Sequence, residues 1–464
     1  MSTFSGIITA LSSLQAQLLA MDTAGHNIAN VNTPGFRRQE VMLSARSPFP
    51  PPGSAEGPML GLVGTGVEVY GIRRAQDGYL GLHMRTAAGQ SGQWRAAHDS
   101  LSEIEAIVAP QGGSDLGTIM DRFWDAWQTL STRPDDLSAR TQVRAEGVAL
   151  SAGFRDLTER LHVQSSNLEV AIVGSVEEVN RLAHQVAGLN RNISVALAEG
   201  KQPNDLMDQR EALLMRLSEL SGANVVSSES SQLIVNLNGR PLVQGDLVFE
   251  LEAVRGATGN LELHWQNDGA TAQVSTGILA GQIQTVQQTI PQYLNQLDDI
   301  ASTMVAEMNT RHRVGFGLDG TTGVDFFTPG ATAGNLSVDN AILGDIRMIA
   351  SAGADDSPGD GSVALAIAGL REEAVMGGGE SLGTAWRSLL GQVAADVQVA
   401  EYNSNAAQLL SDQLLTQQQS MAGVSLDEEM AQMIQYQHAY DAAARVLSTI
   451  DEMIGTIIDQ MATG

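Results

Sequence analysis

The chain has 464 residues, 43% of them hydrophobic but only 4% aromatic, and a net charge of −27 with Lys201 as its one lysine. That length calls for two to four domains, and that charge excludes nucleic acid and anionic membrane surfaces, which need clustered cations. With no cysteine, disulfides and thiolate metal sites are excluded as well.

The first element is a helix over residues 3–30. Its apolar residues step by threes and fours: Phe4, Ile7, Leu11, Leu14, Leu18, Met21 and Ile28, with Gly25 as the one break. Such a stripe is a coiled-coil seam. It has no basic n-region, and Ser and Gln interrupt it, so it is not a secretory signal. No run reaches the roughly 20 apolar residues that cross a bilayer. The helix stops at Asn27-Ile28-Ala29-Asn30-Val31-Asn32-Thr33-Pro34-Gly35-Phe36, where Pro34-Gly35 suits the centre of a type II turn.

Residues 47–58 hold five of the 13 prolines and form an extended connector. A short strand or hairpin follows over 63–73, then a helix from about Asp77 to Val108. The next helix, 116–131, carries Met120, Phe123, Trp124, Trp127 and Leu130 on one face, which marks a packed core rather than a ligand box. Helices continue over 138–199 and 205–220. At Gly222 the period changes to two. Asn238-Gly239 between alternating runs signals a hairpin, and residues 222–276 form a β region, with 315–361 completing it. Helical spacing returns at Leu279, Ile283, Val286, Ile290, Tyr293, Leu297, Ile300 and Met304, and again over 384–421. The last helix opens on Ser425-Leu426-Asp427-Glu428, a capping box. It carries a second seam: Met433, Tyr436, Tyr440, Ala443, Leu447, Ile450, Ile454, Ile457 and Met461, with Glu429 as its break.

The fold class is therefore mainly α with an inserted β domain, elongated and multi-domain. Residues 1–80 with 425–464 form a terminal coiled coil. Residues 81–221, 277–314 and 362–424 form a helical bundle, and 222–276 with 315–361 a β-rich outer domain. Both termini lie at one end.

Catalytic chemistry has no visible constellation. Gly315 to Gly320 fits GxGxxG but follows a helix, whereas the dinucleotide fingerprint follows a strand. Asp319 and Asp325 lack the alternating carboxylates of a calcium loop. No two of the eight histidines stand three or four apart, so no helical metal pair is present. No enzyme activity, cofactor or metal is expected.

The stretch Asn27, Asn30, Asn32, Thr33, Pro34, Gly35, Phe36 resembles the signature after the first helix of bacterial flagellar rod, hook and hook-associated proteins. Arg38 and Gln39 narrow the resemblance to the hook-associated protein 1 family. The segments 205–213 (DLMDQREAL), 309–327 (NTRHRVGFGLDGTTGVDFF) and 420–461 resemble further motifs of that family. Phe36 stands where tyrosine is more usual. Between Phe327 and Leu336 the chain is short, where larger members carry a further β domain.

The resemblance implies a secreted, extracellular structural subunit, exported by the flagellar type III pathway with a chaperone. It would sit at the hook–filament junction, with hook protein below and hook-associated protein 3 above, among copies of itself. The terminal helices would line the inner tube. Hook protein itself and hook-associated protein 3 are the near alternatives, and a secreted enzyme with a coiled-coil anchor the distant one. Residues 1–36 hold one acidic residue and no cation, so the free ends are expected to order on assembly.

Overall fold

The computed structural model describes residues 3–48, 64–110, 115–227, 233–256 and 259–462, with side chains from Gly6 to Met461 within them. Most of the proline-rich connector and the side chain of Phe4 lie outside the described part. The chain divides into two compact units: residues 1–88, 180–250 and 408–464 in the first, 89–179 and 251–407 in the second.

The first unit begins with helix α1 (Thr3–Ala29), followed by strands β1 (Gln39–Ala45) and β2 (Val67–Arg74). These strands pair antiparallel with a bulge between Met42 and Leu43. The unit includes the start of α2 (Gly78–Val108), the end of α4 (Leu137–Ala198) and all of α5 (Asn204–Ser221). α5 stops at Gly222, which takes the left-handed conformation (φ 68°) that closes a helix. Four strands follow as an antiparallel meander: β3 (Asn224–Ser227), β4 (Leu233–Leu237), β5 (Arg240–Gln244) and β6 (Leu247–Val248). Asn238 (φ 45°) and Gly239 (φ 89°) turn β4 into β5 as a tight hairpin, as their pairing in sequence predicts. The unit closes with the end of α10 (Leu382–Ala422) and with α11 (Leu426–Ala462).

The second unit is built on α3 (Leu116–Thr132), α7 (Ile290–Val314) and the short α9 (Ser362–Ala368). Asp115 caps α3, its carboxylate accepting from the Thr118 amide. Phe123, Trp124 and Trp127 are buried, and their rings pack on one another and on Phe326 and Phe327. α6 (Ile278–Gln284) runs through a π turn at Thr285–Thr289 into α7. Pro291 donates no amide bond and crowds the carbonyl four residues back, and the wider turn ahead of it accommodates both. The seam read from Leu279 to Met304 is buried at every position but Ile283, which is half-buried.

Two differences from the sequence pattern stand out. The alternating run through Leu247, Phe249 and Leu251 is not one strand. It breaks at Glu250, with β6 in the first unit and β7 (Leu251–Arg255), paired to β8 (Leu261–Trp265), in the second. Residues 315–361 form isolated bridges, 3-10 turns and the short α8 (Asn340–Gly344), rather than strands continuing those of 222–276. Their glycines and aspartates satisfy turns: Gly317 N–H donates to Thr321 O, and Asp319 accepts from the Thr321 amide.

The segment 309–327 closes the C-terminal end of α7. Asn309 Oδ1 accepts from the amides of Phe326 and Phe327, and its Nδ2 donates to Phe327 O. His312 Nδ1 donates to Val324 O at 2.7 Å, while the Ala350 amide donates to Nε2 at 2.9 Å. This fixes a neutral imidazole. Burial is the first cause of its pKa falling to about 4. Arg140, fully buried, donates to Pro134 O, Ile349 O and Ser351 Oγ.

Candidate functional site: the terminal helix pair and its polar knot

α1 packs on α11 and on the β1–β2 hairpin. Apart from Asn27, the described residues it buries are small: Ala10, Ser12, Ala16, Ala20, Thr23 and Ala24. A Cβ on Gly6 would stand 3.0 Å from Ile450 Cδ1, so glycine lets the two helices approach closely. Gly66, at φ +102°, lies against Ser12 and could not carry a side chain there.

The stripe read on α1 is therefore not the buried one. Leu11 and Leu18 are 46% and 50% exposed, and Ile7, Leu14, Met21 and Ile28 are half-buried. On α11 the stripe does turn inward. Ala443 and Ile450 are buried, and Met433, Tyr436, Tyr440, Leu447 and Ile454 half-buried. Ile457 and Met461 near the end are exposed, as are Met430, Ile434, Val446, Met453 and Ile458 on the flank of the stripe.

Glu429, the break in that stripe, is 1% exposed and has its partners inside the chain. Arg38 Nε donates to Glu429 Oε1 at 2.7 Å, and Asn27 Nδ2 donates to Oε2 at 3.0 Å. Asn27, also 1% exposed, further donates to Gln39 O and accepts from the Gln39 amide. Gln39 Nε2 donates to Asp205 at 2.8 Å, and Asn204 donates to Gln39 Oε1 at 3.0 Å. The Arg37 amide donates to Asp208 Oδ2, whose Oδ1 accepts from Arg74 at 2.7 Å. Burial pushes the Asp208 carboxyl up, with Arg74 and the Arg37 amide opposing. The capping box forms only in part: the Glu428 amide reaches Ser425 Oγ at 3.5 Å, while its carboxylate lies 3.9 Å from Arg38.

The remaining motif residues shape the loop between. Phe36 N–H donates to Thr33 O across Pro34 and Gly35, with Gly35 at φ +80°, the type II geometry anticipated. Asn30 accepts from Thr33 Oγ1 and donates to His26 O, and Phe36 meets the His26 ring edge-on at 5.4 Å. Asn32, Thr33, Pro34 and Gly35 are exposed. Three segments far apart in sequence, 27–39, 204–208 and 428–429, thus close one polar knot beside the helix pair. Sequence reasoning marked each segment but not their meeting. It also missed strand β1 and the small-residue face of α1, although Gly6, Ala10, Ala16, Ala20 and Ala24 recur at near-helical spacing.

Comparisons with known proteins match these segments. The model of the flagellar hook-associated protein FlgK helical domain matches residues 101–327. The flagella basal body rod protein model matches 7–37, and that of the flagellar basal body rod FlgEFG protein C-terminal 417–460. The flagellar hook-associated protein 1 of Bacillus subtilis is 30% identical, over all of this chain and 99% of its own length. The chain belongs to the flagellar hook-associated protein 1 family. That of Escherichia coli is 26% identical over 98% of this chain and 99% of its own. The structure of the flagellar hook junction protein FlgK from Burkholderia pseudomallei superposes with a TM-score of 0.66 at 15% identity, covering 74% of this chain and all of that one; it shows the shared fold.

As a member of the hook-associated protein 1 family, the chain is a structural protein of the flagellar hook–filament junction. The alignments run over 506 and 556 positions against 464 residues here, so these relatives hold segments without a counterpart. At Phe327–Leu336 the chain closes on itself: Thr328 N–H donates to Ser337 O, and Phe327 bridges Val338.

Proposed function

We propose that this subunit enters the junction through the apolar faces that α1 and α11 leave open. The observation that carries the reading is the division of α1. Its small residues face α11 and the hairpin, while Leu11 and Leu18 stand about half exposed. Apolar stripes on paired helices are stable in water only when covered, and head-to-tail contacts between copies build rings or open helices. The terminal pair, residues 1–80 with 425–464, lines the inner tube among copies of the same chain. Hook protein packs below it and hook-associated protein 3 above. The bundle and β regions face outward. The subunit travels through the type III pathway with an export chaperone and functions outside the cell, without catalytic activity.

Deleting the gene and imaging the cells by electron microscopy tests the junction role. Bare hooks, with filament subunits lost to the medium, are expected. Normal filaments on the deletion strain would contradict it.

A further inference from the structure

A cavity of about 440 Å3 lies in the first unit beside the start of α2, lined by Arg37, Arg73, Arg74, Asp77, Gln418 and Met421 among others. Three arginines around one cavity are unexpected in a chain with 26 basic and 53 acidic residues. Most of the charges here are engaged. Arg74 pairs with Asp208, and Arg85 with Glu211. Asp77 Oδ1 accepts from the amides of Tyr79 and Leu80, capping α2. Arg73, 63% exposed at the rim, stands 3.3 Å from Glu40.

Arg37 differs. It is 7% exposed, and among the described residues no acceptor lies within hydrogen-bonding distance of its guanidinium; only its backbone amide is bonded, to Asp208. Burial pulls its pKa down, with the Glu211 carboxylate opposing. No Arg37 nitrogen is among the fully buried, unsatisfied atoms of the described residues, so its guanidinium stays open to the cavity it lines, and five donors in a planar fork match an oxyanion. Asp208 and Glu211 favour the Arg37 charge through space but are hydrogen-bonded to Arg74 and Arg85, which leaves the Arg37 side-chain donors unfilled.

We propose that this cavity is an oxyanion site, in which the Arg37 fork takes a phosphate or carboxylate group and Arg73 covers it from the rim. Two sources share that chemistry: a small free anion, and an acidic side chain of a second copy of this chain.

The full-length protein tests this by thermal melting in millimolar inorganic phosphate against chloride at equal ionic strength, with sedimentation velocity alongside. If the source is a free anion, phosphate raises the melting temperature at every protein concentration and Arg37→Met abolishes the rise. The general stabilising action of phosphate is common to both proteins, so their difference isolates the site. If the source is a second copy, self-association is weakened by Arg37→Met and by phosphate. Should that variant fail to fold, Arg73→Gln at the exposed rim raises the half-maximal phosphate concentration about fivefold. The proposal is overturned if Arg37→Met keeps the full phosphate response and the parent's self-association, or if Arg73→Gln, standing in for it, leaves the half-maximal concentration unchanged.

Discussion

Glu429 sits where a coiled-coil seam calls for an apolar residue, and its two oxygens are divided between Arg38 and Asn27. Glu429→Gln keeps the shape but sets an amide NH2 against one of those donors. Leaving a buried donor unmatched costs about 1–3 kcal/mol. Amide exchange of residues 26–30 and 426–432 is therefore expected to quicken by about tenfold or more, and unchanged exchange would show the knot to be ornamental. His312 gives a second residue-scale expectation. Its folded pKa, about 4, lies below the value of about 6.5 in an unfolded chain. A depressed pKa means the unfolded chain binds the proton more tightly. The contribution is then complete above about pH 6.5 and drains away as pH falls toward 4. Between pH 7.5 and 5 this amounts to about 2 kcal/mol. Urea unfolding followed by tryptophan fluorescence reads it, since the Trp127 ring lies 6.2 Å from the His312 ring. His312→Gln should flatten that share of the pH dependence.

At the scale of elements, close approach is specified by glycine where helices meet. A Cβ on Gly361, at the start of α9, would fall 2.0 Å from Ser131 O near the end of α3. Backbone does not yield there cheaply, so Gly361→Ala should lower stability by about 1–3 kcal/mol, visible as a lower urea midpoint. The α1–α11 pair is the opposite case. Its seam is made of alanines and one glycine on the α1 side, and small side chains bury little apolar area. The polar knot pins only the end near Asn27 and Glu429. Hydrogen exchange in the free subunit should thus show protection declining from Asn27 toward Ile7 and from Glu429 toward Met461. Uniform protection along both helices would mean that the pair is stable without neighbours.

At the scale of the molecule, the sequence was most legible where period alone decides. The helix bounds of α2, α3, α5 and α10 and the Asn238-Gly239 turn follow from spacing and turn chemistry, and the buried face of Phe123, Trp124 and Trp127 from one helical stripe. Large apolar residues drew the eye to one face of α1, yet the face that packs is the one carrying Ala10, Ala20 and Ala24. Close helix approach selects for small side chains, and a hydrophobicity pattern underweights them. The knot was invisible for a different reason. Asn27, Gln39, Asp205 and Glu429 are polar residues far apart in the chain, and only the tertiary fold shows that they satisfy one another. The run through Leu247, Phe249 and Leu251 misled because alternation continues across Glu250, although the strands on its two sides pair with different partners.

On the proposed function, the exposed apolar stripe of α1 is the surface that meets neighbouring subunits. The double variant Leu11→Glu/Leu18→Glu tests it most directly, because both side chains are about half exposed and their exchange should cost the isolated subunit less than about 1 kcal/mol. Expressed in the deletion strain, and detected in the medium as proof of export, the variant is predicted to leave bare hooks in electron micrographs. Filaments of normal number and length on those cells would contradict the account.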